Sequence, residues 1–318
     1  MGRRKSSLRK IFEVHLGNLL FKLWTFWVRH LSLESLQFYG EKLGTIALYL
    51  LRKRKKAALG NLHLALGGEK SQEEIEQICR NSFKNIGKDM METVHCFDFQ
   101  KNDLKMLVKL EGKEYLDHAL KGENGVIALT AHFGNFPLMS VRLVNEGYAL
   151  SLVARDPENP RVARMIVSAR NKVGMESIPD KPRMTCVSRC LKALKRNRIL
   201  LMHIDHNAPA TESWVDFFGY LVPTFKGPII FSLRTGAPIL PIFMIRNPDA
   251  HHKITIHPTF ELTTTANTQE DITSNIARLT KIVEAVIREY PEQWWWVHRR
   301  FKRARDPKTG ERLFTRHP

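Results

Sequence analysis

Val126-Ile-Ala-Leu-Thr130, running into Ala131-His-Phe-Gly-Asn-Phe136, is the stretch that decides the fold. The first five residues follow the turn formers Gly122-Glu-Asn-Gly125, and so short an apolar run between turn signals reads as a buried strand. His132–Asn135 then makes a turn, and the residues to about Glu146 predict a helix. Outward from there the alternation repeats. Tyr148–Ala154 reads as a strand, Asn159–Val173 and Met184–Arg196 as helices, and Ile199–Ile204 as a second buried strand. Lys226–Arg234 is expected helical, Pro238–Ile245 extended, Lys253–Phe260 an alternating strand and Thr268–Glu289 a long helix. Upstream, Ser71-Gln-Glu-Glu74 is a capping box opening a helix that runs to about Cys96. Strands alternating with helices predict an α/β sandwich with a mostly parallel central sheet and helices on both faces. In such sheets reactive residues gather beyond the carboxyl ends of strands, where His132 and Asp205 both fall.

The 318 residues carry a formal net charge of +18, which asks for an anionic partner. Residues 1–60 hold 13 Lys/Arg against 3 Asp/Glu, and residues 292–318 hold 8 against 3, so most of the surplus sits at the two ends. After the basic Met1–Lys10 comes an apolar stretch interrupted by Glu13, His15, Lys22 and Arg29. It is too broken to span a bilayer, for which about 20 mostly uncharged residues are needed. Its Trp24, Phe26 and Trp27 beside cations suit a helix lying in the membrane interface, although an ordinary amphipathic helix packed on the domain gives a similar pattern. Leu43–Leu51 ends in Arg52-Lys-Arg-Lys-Lys56, which reads as a phosphate-facing patch. The expected organisation is an N-terminal membrane-associated helical arm (1–51), one catalytic domain (52–305) and a basic tail (306–318). The four cysteines form no metal-type spacing and read as buried thiols, and no secretory cleavage site follows the first apolar stretch.

A histidine just past a buried strand is placed either to act as a general base or merely to cap a turn. Gly134 permits close approach of a substrate, and free N–H groups at the following helix start are expected to face developing negative charge. His203-Ile-Asp-His-Asn207 hints at metal, but lacks the helical i, i+4 histidines of a zincin; Asp205 reads better as a carboxylate orienting a nearby histidine. Trp294-Trp-Trp296, followed by cations, suits either core or an aromatic and basic platform at headgroup level. The chain has no P-loop, G-x-G-x-x-G or G-x-S-x-G string, which removes support for nucleotide chemistry and a serine hydrolase. It also has no zinc knuckle, helix-turn-helix or aromatic RNA motif, so no nucleic-acid partner is expected despite the charge.

Six blocks in order resemble the bacterial lipid A late acyltransferases, within the wider lysophospholipid acyltransferase group. They are Arg54–Leu66 with Asn61-Leu62, Thr130–Phe136, Arg155-Asp-Pro-Glu-Asn-Pro160, Phe217-Phe-Gly219 with Thr224, Arg234-Thr-Gly-Ala-Pro238, and Gln293–Lys302. The resemblance implies a glycerolipid-acyltransferase-like sandwich at the cytoplasmic face of a bacterial inner membrane, held peripherally by the N-terminal arm. The donor would be an acyl carrier protein or coenzyme A thioester, the acceptor a phosphorylated glycolipid or lysolipid, with no metal or other cofactor. His132 would take the acceptor's proton. Gly134, Asn135, Arg155, Asn159, Phe218, Gly219, Thr224, Arg299 and Arg300 would line the substrate, with Arg155 holding a phosphate or the oxyanion region. One departure stands out. The family pattern places an acid five residues after the histidine, and here that residue is Pro137. Asp205 is the preferred replacement; Glu92 or another distant acid is a second, and a weakened or inactive lipid-binding relative a third.

Overall fold

The computed structural model describes residues 17, 23–96, 101–155 and 159–313; the basic Met1–Lys10 segment lies outside them. Residues 23–29 are helical (α1). The order then runs α2 (Leu33–Leu50), α3 (Arg52–Leu66), α4 (Gln72–Cys96), α5 (Lys101–Leu107), β1 (Val108–Glu111) and α6 (Lys113–Leu120). The central part is β2 (Val126–Thr130), α7 (Phe136–Asn145), β3 (Leu150–Ala154), α8 (Pro160–Lys172), β4 (Glu176–Pro179), α9 (Arg183–Lys195) and β5 (Ile199–His203). The last part is β6 (Ser213–Phe217), β7 (Tyr220–Thr224), α10 (Gly227–Thr235), β8 (Ile239–Arg246), β9 (His252–Ile256) and α11 (Thr268–Glu289), then 3₁₀ turns at Pro291–Gln293 and Arg300–Arg303.

Seven strands form one sheet in the order β1-β9-β8-β2-β5-β3-β4. Every neighbouring pair is parallel except β8 with β9. Alternate residues of β2 serve opposite cores: Ile127 and Leu129 join helices α3, α4, α9, α10 and α11, while Val126 and Ala128 join α5, α6 and α7. A strand covered on both faces has no need of polar alternation, which is why β2 and β8 are buried throughout. The mixed α/β sandwich with a mostly parallel sheet is therefore the observed fold.

Differences from the sequence reading are local. The strand expected over Lys253–Phe260 ends at Ile256. The short edge strands β1 and β4 gave too few residues for a periodic signal. The β6–β7 hairpin turns on Phe218 and Gly219, both at positive φ (52° and 79°), the two-residue turn whose twist matches antiparallel strands. Ser71 does open α4 as a capping box, its backbone N–H 2.8 Å from Glu74 Oε2 and its hydroxyl accepting from the Glu74 N–H.

Helix α2 crosses α4 at backbone contact. A Cβ on Gly44 would meet the Phe83 carbonyl at 2.1 Å, and one on Gly87 would meet the Gly40 carbonyl at 2.1 Å. The opposite side of α2 leaves Phe38, Tyr39, Ile46, Tyr49 and Leu50 exposed, beside exposed Phe26 and Trp27 of α1. No helix among the described residues is long and apolar enough to cross a membrane. Residues 306–313 fold back on the body, Leu313 N–H bonding the Ala304 carbonyl.

Candidate active site

Sheet register brings the site together. Strands β2 and β5 are parallel neighbours with Thr130 opposite His203, so His132 and Asp205 each leave the sheet two residues beyond that pair. Their side chains meet: His132 Nδ1 lies 2.9 Å from Asp205 Oδ1, and Asp205 Oδ2 accepts the His132 backbone N–H at 2.8 Å. Trp294 Nε1 donates to the same Oδ2 at 2.8 Å. Asp205 is buried, which by itself would raise its pKa. The facing imidazoles, His132 first, outweigh burial and hold the carboxyl well below its ordinary range. With Nδ1 on the carboxylate, Nε2 is the ring nitrogen His132 has left over, and its side chain is 16% exposed.

Three further histidines pack around His132. His206 stacks on it at 3.9 Å with ring planes 13° apart, His203 lies at 4.4 Å and His298 at 5.0 Å. Burial, then the neighbouring His132, pushes His206 down to about 4; burial, then His206, pushes His298 down to about 3. Burial also lowers His203 well below its usual value. The ring nitrogens of His132, His206 and His298 fall within 4.8 Å of one another. Stacked rings, however, direct their in-plane lone pairs parallel rather than toward a common point, so one ion cannot sit in the planes of both His132 and His206. The geometry is that of an aromatic stack, not a metal cage.

The expected substrate residues divide sharply. Arg155 is exposed and paired with Asp180 at 2.8 Å, and Asn159 and Arg299 are also exposed. The others, apart from the exposed hairpin residue Gly219, are buried and make their contacts within the fold. Gly134 owes its missing side chain to β8, since a Cβ there would stand 2.0 Å from the Met244 carbonyl, and its φ is +53°. Asn135 is fully buried; its Oδ1 caps α7 through the Leu138 N–H, and its Nδ2 donates to Glu92 Oε2 at 2.7 Å. Phe218 and Gly219 are the hairpin turn, held where the Phe218 N–H meets Glu284 and the Arg288 guanidinium covers the Phe218 ring. Arg300 is buried with its Nη1 on the His206 and Pro223 carbonyls and its Nη2 on Thr224 Oγ1, so both residues are tied into the fold; burial brings Arg300 down to about 10.

The helix start is also corrected. Gly134 N–H is taken by the Gln293 carbonyl, Phe136 N–H by the Gly134 carbonyl and Leu138 N–H by Asn135, while Pro137 has none. Glu92 does not approach His132. It belongs to a separate buried cluster with Arg246, Asp89 and Gln37, its Oε2 3.1 Å from His252 Nε2. Of the tryptophans, Trp294 and Trp296 are core residues. Sequence reasoning assigned no role to His206, His298 or Trp295 around the site; the H-x-D-H string was the available signal for His206.

Residues 3–303 match the profile of the bacterial lipid A biosynthesis acyltransferases. A lipid A biosynthesis palmitoleoyltransferase of Escherichia coli is 26% identical over 88% of each chain. A lauroyltransferase of the same organism is 24% identical over 83% of this chain and 84% of that one. A phosphatidylinositol mannoside acyltransferase of Mycolicibacterium smegmatis is 25% identical over 57% of this chain and 58% of its own. The match extends from the N-terminal arm through the Trp294–Arg303 segment that closes over His132, and the chain belongs to the bacterial lipid A biosynthesis acyltransferase family of acyl-transferring enzymes.

Proposed function

We propose that His132 is the general base in transfer of a fatty acyl chain from a thioester of acyl carrier protein or coenzyme A to a lipid hydroxyl. The acceptor is a phosphorylated glycolipid or lysolipid. The observation that carries this reading is the His132 Nδ1–Asp205 Oδ1 contact of 2.9 Å. Asp205 fixes the tautomer in which Nε2 accepts a proton and stabilises the imidazolium that results. The hydroxyl gives its proton to Nε2 as its oxygen attacks the thioester carbonyl; collapse breaks the C–S bond, and the thiolate leaves with that proton. Asp205 takes over the work of the acid that Pro137 lacks, which favours an active enzyme over a binding relative. Neither step calls on a metal or a cofactor.

Exposed Arg155, next to Asp180, and exposed Arg299 are the cations available to an anionic donor or an acceptor phosphate. The exposed apolar face of α1 and α2 supports peripheral attachment at the cytoplasmic face of the inner membrane. Beside it a groove of about 630 Å³ is lined by Leu48, Tyr49, Leu59, Arg52, Lys55 and Lys56, a composition suited to anionic headgroups. The test is transfer from acyl carrier protein thioesters to a bacterial lipid extract, followed by mass spectrometry. A new acylated lipid made by wild type and not by His132→Ala is expected; equal product from both would sink the reading.

A further inference from the structure

Three consecutive tryptophans meet three different fates. Trp294 Nε1 donates to Asp205, and Trp296 Nε1 donates to the Pro291 carbonyl at 2.6 Å. Trp295 Nε1 is buried and has no acceptor among the described residues. An indole nitrogen only donates, and leaving such a donor buried and unmet is unfavourable. The ring is nevertheless firmly held. It stacks on His298 at 5.5 Å with planes 19° apart and meets Phe136 edge-on at 5.5 Å. Its centroid is 6.1 Å from that of His132, and its backbone N–H bonds the His132 carbonyl at 3.1 Å.

Acyl transfer requires a donor aimed at the carbonyl oxygen as that oxygen becomes an anion. Main-chain amides commonly fill the role, but those of Phe133, Gly134, Phe136 and Leu138 are all committed within the fold. Arg300 commits its Nη1 to two carbonyls and its Nη2 to Thr224, leaving only its buried Nε without a partner among the described residues. Arg300 aside, the unmet buried nitrogens in ring contact with His132 are Nε2 of His203, His206 and His298 and Nε1 of Trp295. An imidazole can present either a lone pair or an N–H, whereas the indole offers only the N–H. We infer that the Trp295 indole N–H is a catalytic donor to the thioester carbonyl oxygen, stabilising the oxyanion formed when the acceptor hydroxyl attacks. The inference rests on the reading of His132 as base. The acceptor proton goes to His132 Nε2, the carbonyl π pair moves to oxygen beside the indole N–H, and collapse expels the thiolate with the proton from His132.

The experiment is thiol release from lauroyl-coenzyme A in the presence of a bacterial lipid extract, for wild type, His132→Ala and Trp295→Phe, together with thermal melting. Phenylalanine keeps an aromatic ring and loses the N–H. Trp295→Phe is expected to lower kcat by about 10²–10³ with donor KM changed by less than about threefold and no fall in Tm. Wild-type kcat in Trp295→Phe alongside an inactive His132→Ala would overturn the indole donor and leave the base standing. A kcat loss matched by a raised KM or a lowered Tm would also overturn it, by making the ring a packing element. Equal release by wild type and His132→Ala would overturn both.

Discussion

Two buried polar clusters flank the turn at Asn135, and they spend their hydrogen bonds differently. In the first, Arg246 bridges Asp89 and Glu92, Glu92 also receives Gln37 and Asn135, and all these groups but Gln37 are almost wholly buried. Its carboxylate and guanidinium atoms answer one another and tie α2, α4 and β8 together. The second cluster surrounds His132. Asp205 accepts three hydrogen bonds there, but Nε2 of His203, His206 and His298 and Nε1 of Trp295 have no partner among the described residues. Buried polar groups are normally paired. The first cluster pairs its carboxylates with its guanidinium, although His252 beside it leaves ring nitrogens unmet; the second leaves unmet nitrogens on four rings around a partly exposed histidine. Asn135 joins the two, capping the helix after His132 with one end of its amide and binding Glu92 with the other.

The sharpest test of this contrast is Asp205→Asn. Its amide would face His132 Nδ1 with an N–H, forcing the proton onto Nε2 and disabling the base. A loss of about 10⁴ in kcat is expected with little change in Tm, read by thiol release and melting. Retained turnover would deny Asp205 its role. Arg246→Met should do the reverse. Leaving two buried carboxylates without their cation costs about 3–5 kcal/mol of stability, measured by denaturant unfolding, while the folded fraction keeps its kcat. A selective kcat loss at unchanged stability would erase the distinction between the clusters.

Asn135→Ala probes the link. Loss of the cap and of a donor to Glu92 is expected to cost about 1–3 kcal/mol, with a kcat reduction smaller than that of Asp205→Asn. The smallest effect is pH dependence. His206 and His298 titrate near 4 and 3 when folded but near the ordinary value of about 6.5 when unfolded. Below that value the unfolded chain binds more protons, so their contribution is complete above about pH 6.5 and fades as pH falls through the folded values. Tm is expected to drop between pH 6.5 and 4, less steeply in His206→Gln; identical slopes would show that His206 is not buried neutral.

Much of this was legible in the chain itself. Val126–Thr130 and Ile199–His203 declared themselves as strands by apolar runs between turn formers, and Thr268–Glu289 as a helix by its periodicity. Those signals are local, set by side-chain spacing against periods of 2 and 3.6 residues. They sufficed to put His132 and Asp205 at strand ends, and the ordered blocks sufficed to indicate the family. What the chain did not declare was which strands are neighbours. Only the pairing of β2 with β5 turns two residues 73 positions apart into a 2.9 Å contact, so the sequence could prefer Asp205 to Glu92 but only the tertiary structure puts it against His132. For the same reason Asn135, Thr224 and Arg300, polar and near the site in sequence, proved to be interior. A residue type advertises what it can bond to, but burial by distant segments decides whether that capacity is already spent. Trp294, Trp295 and Trp296 are chemically identical in the sequence. Their different roles come from what the rest of the chain places beside each indole N–H.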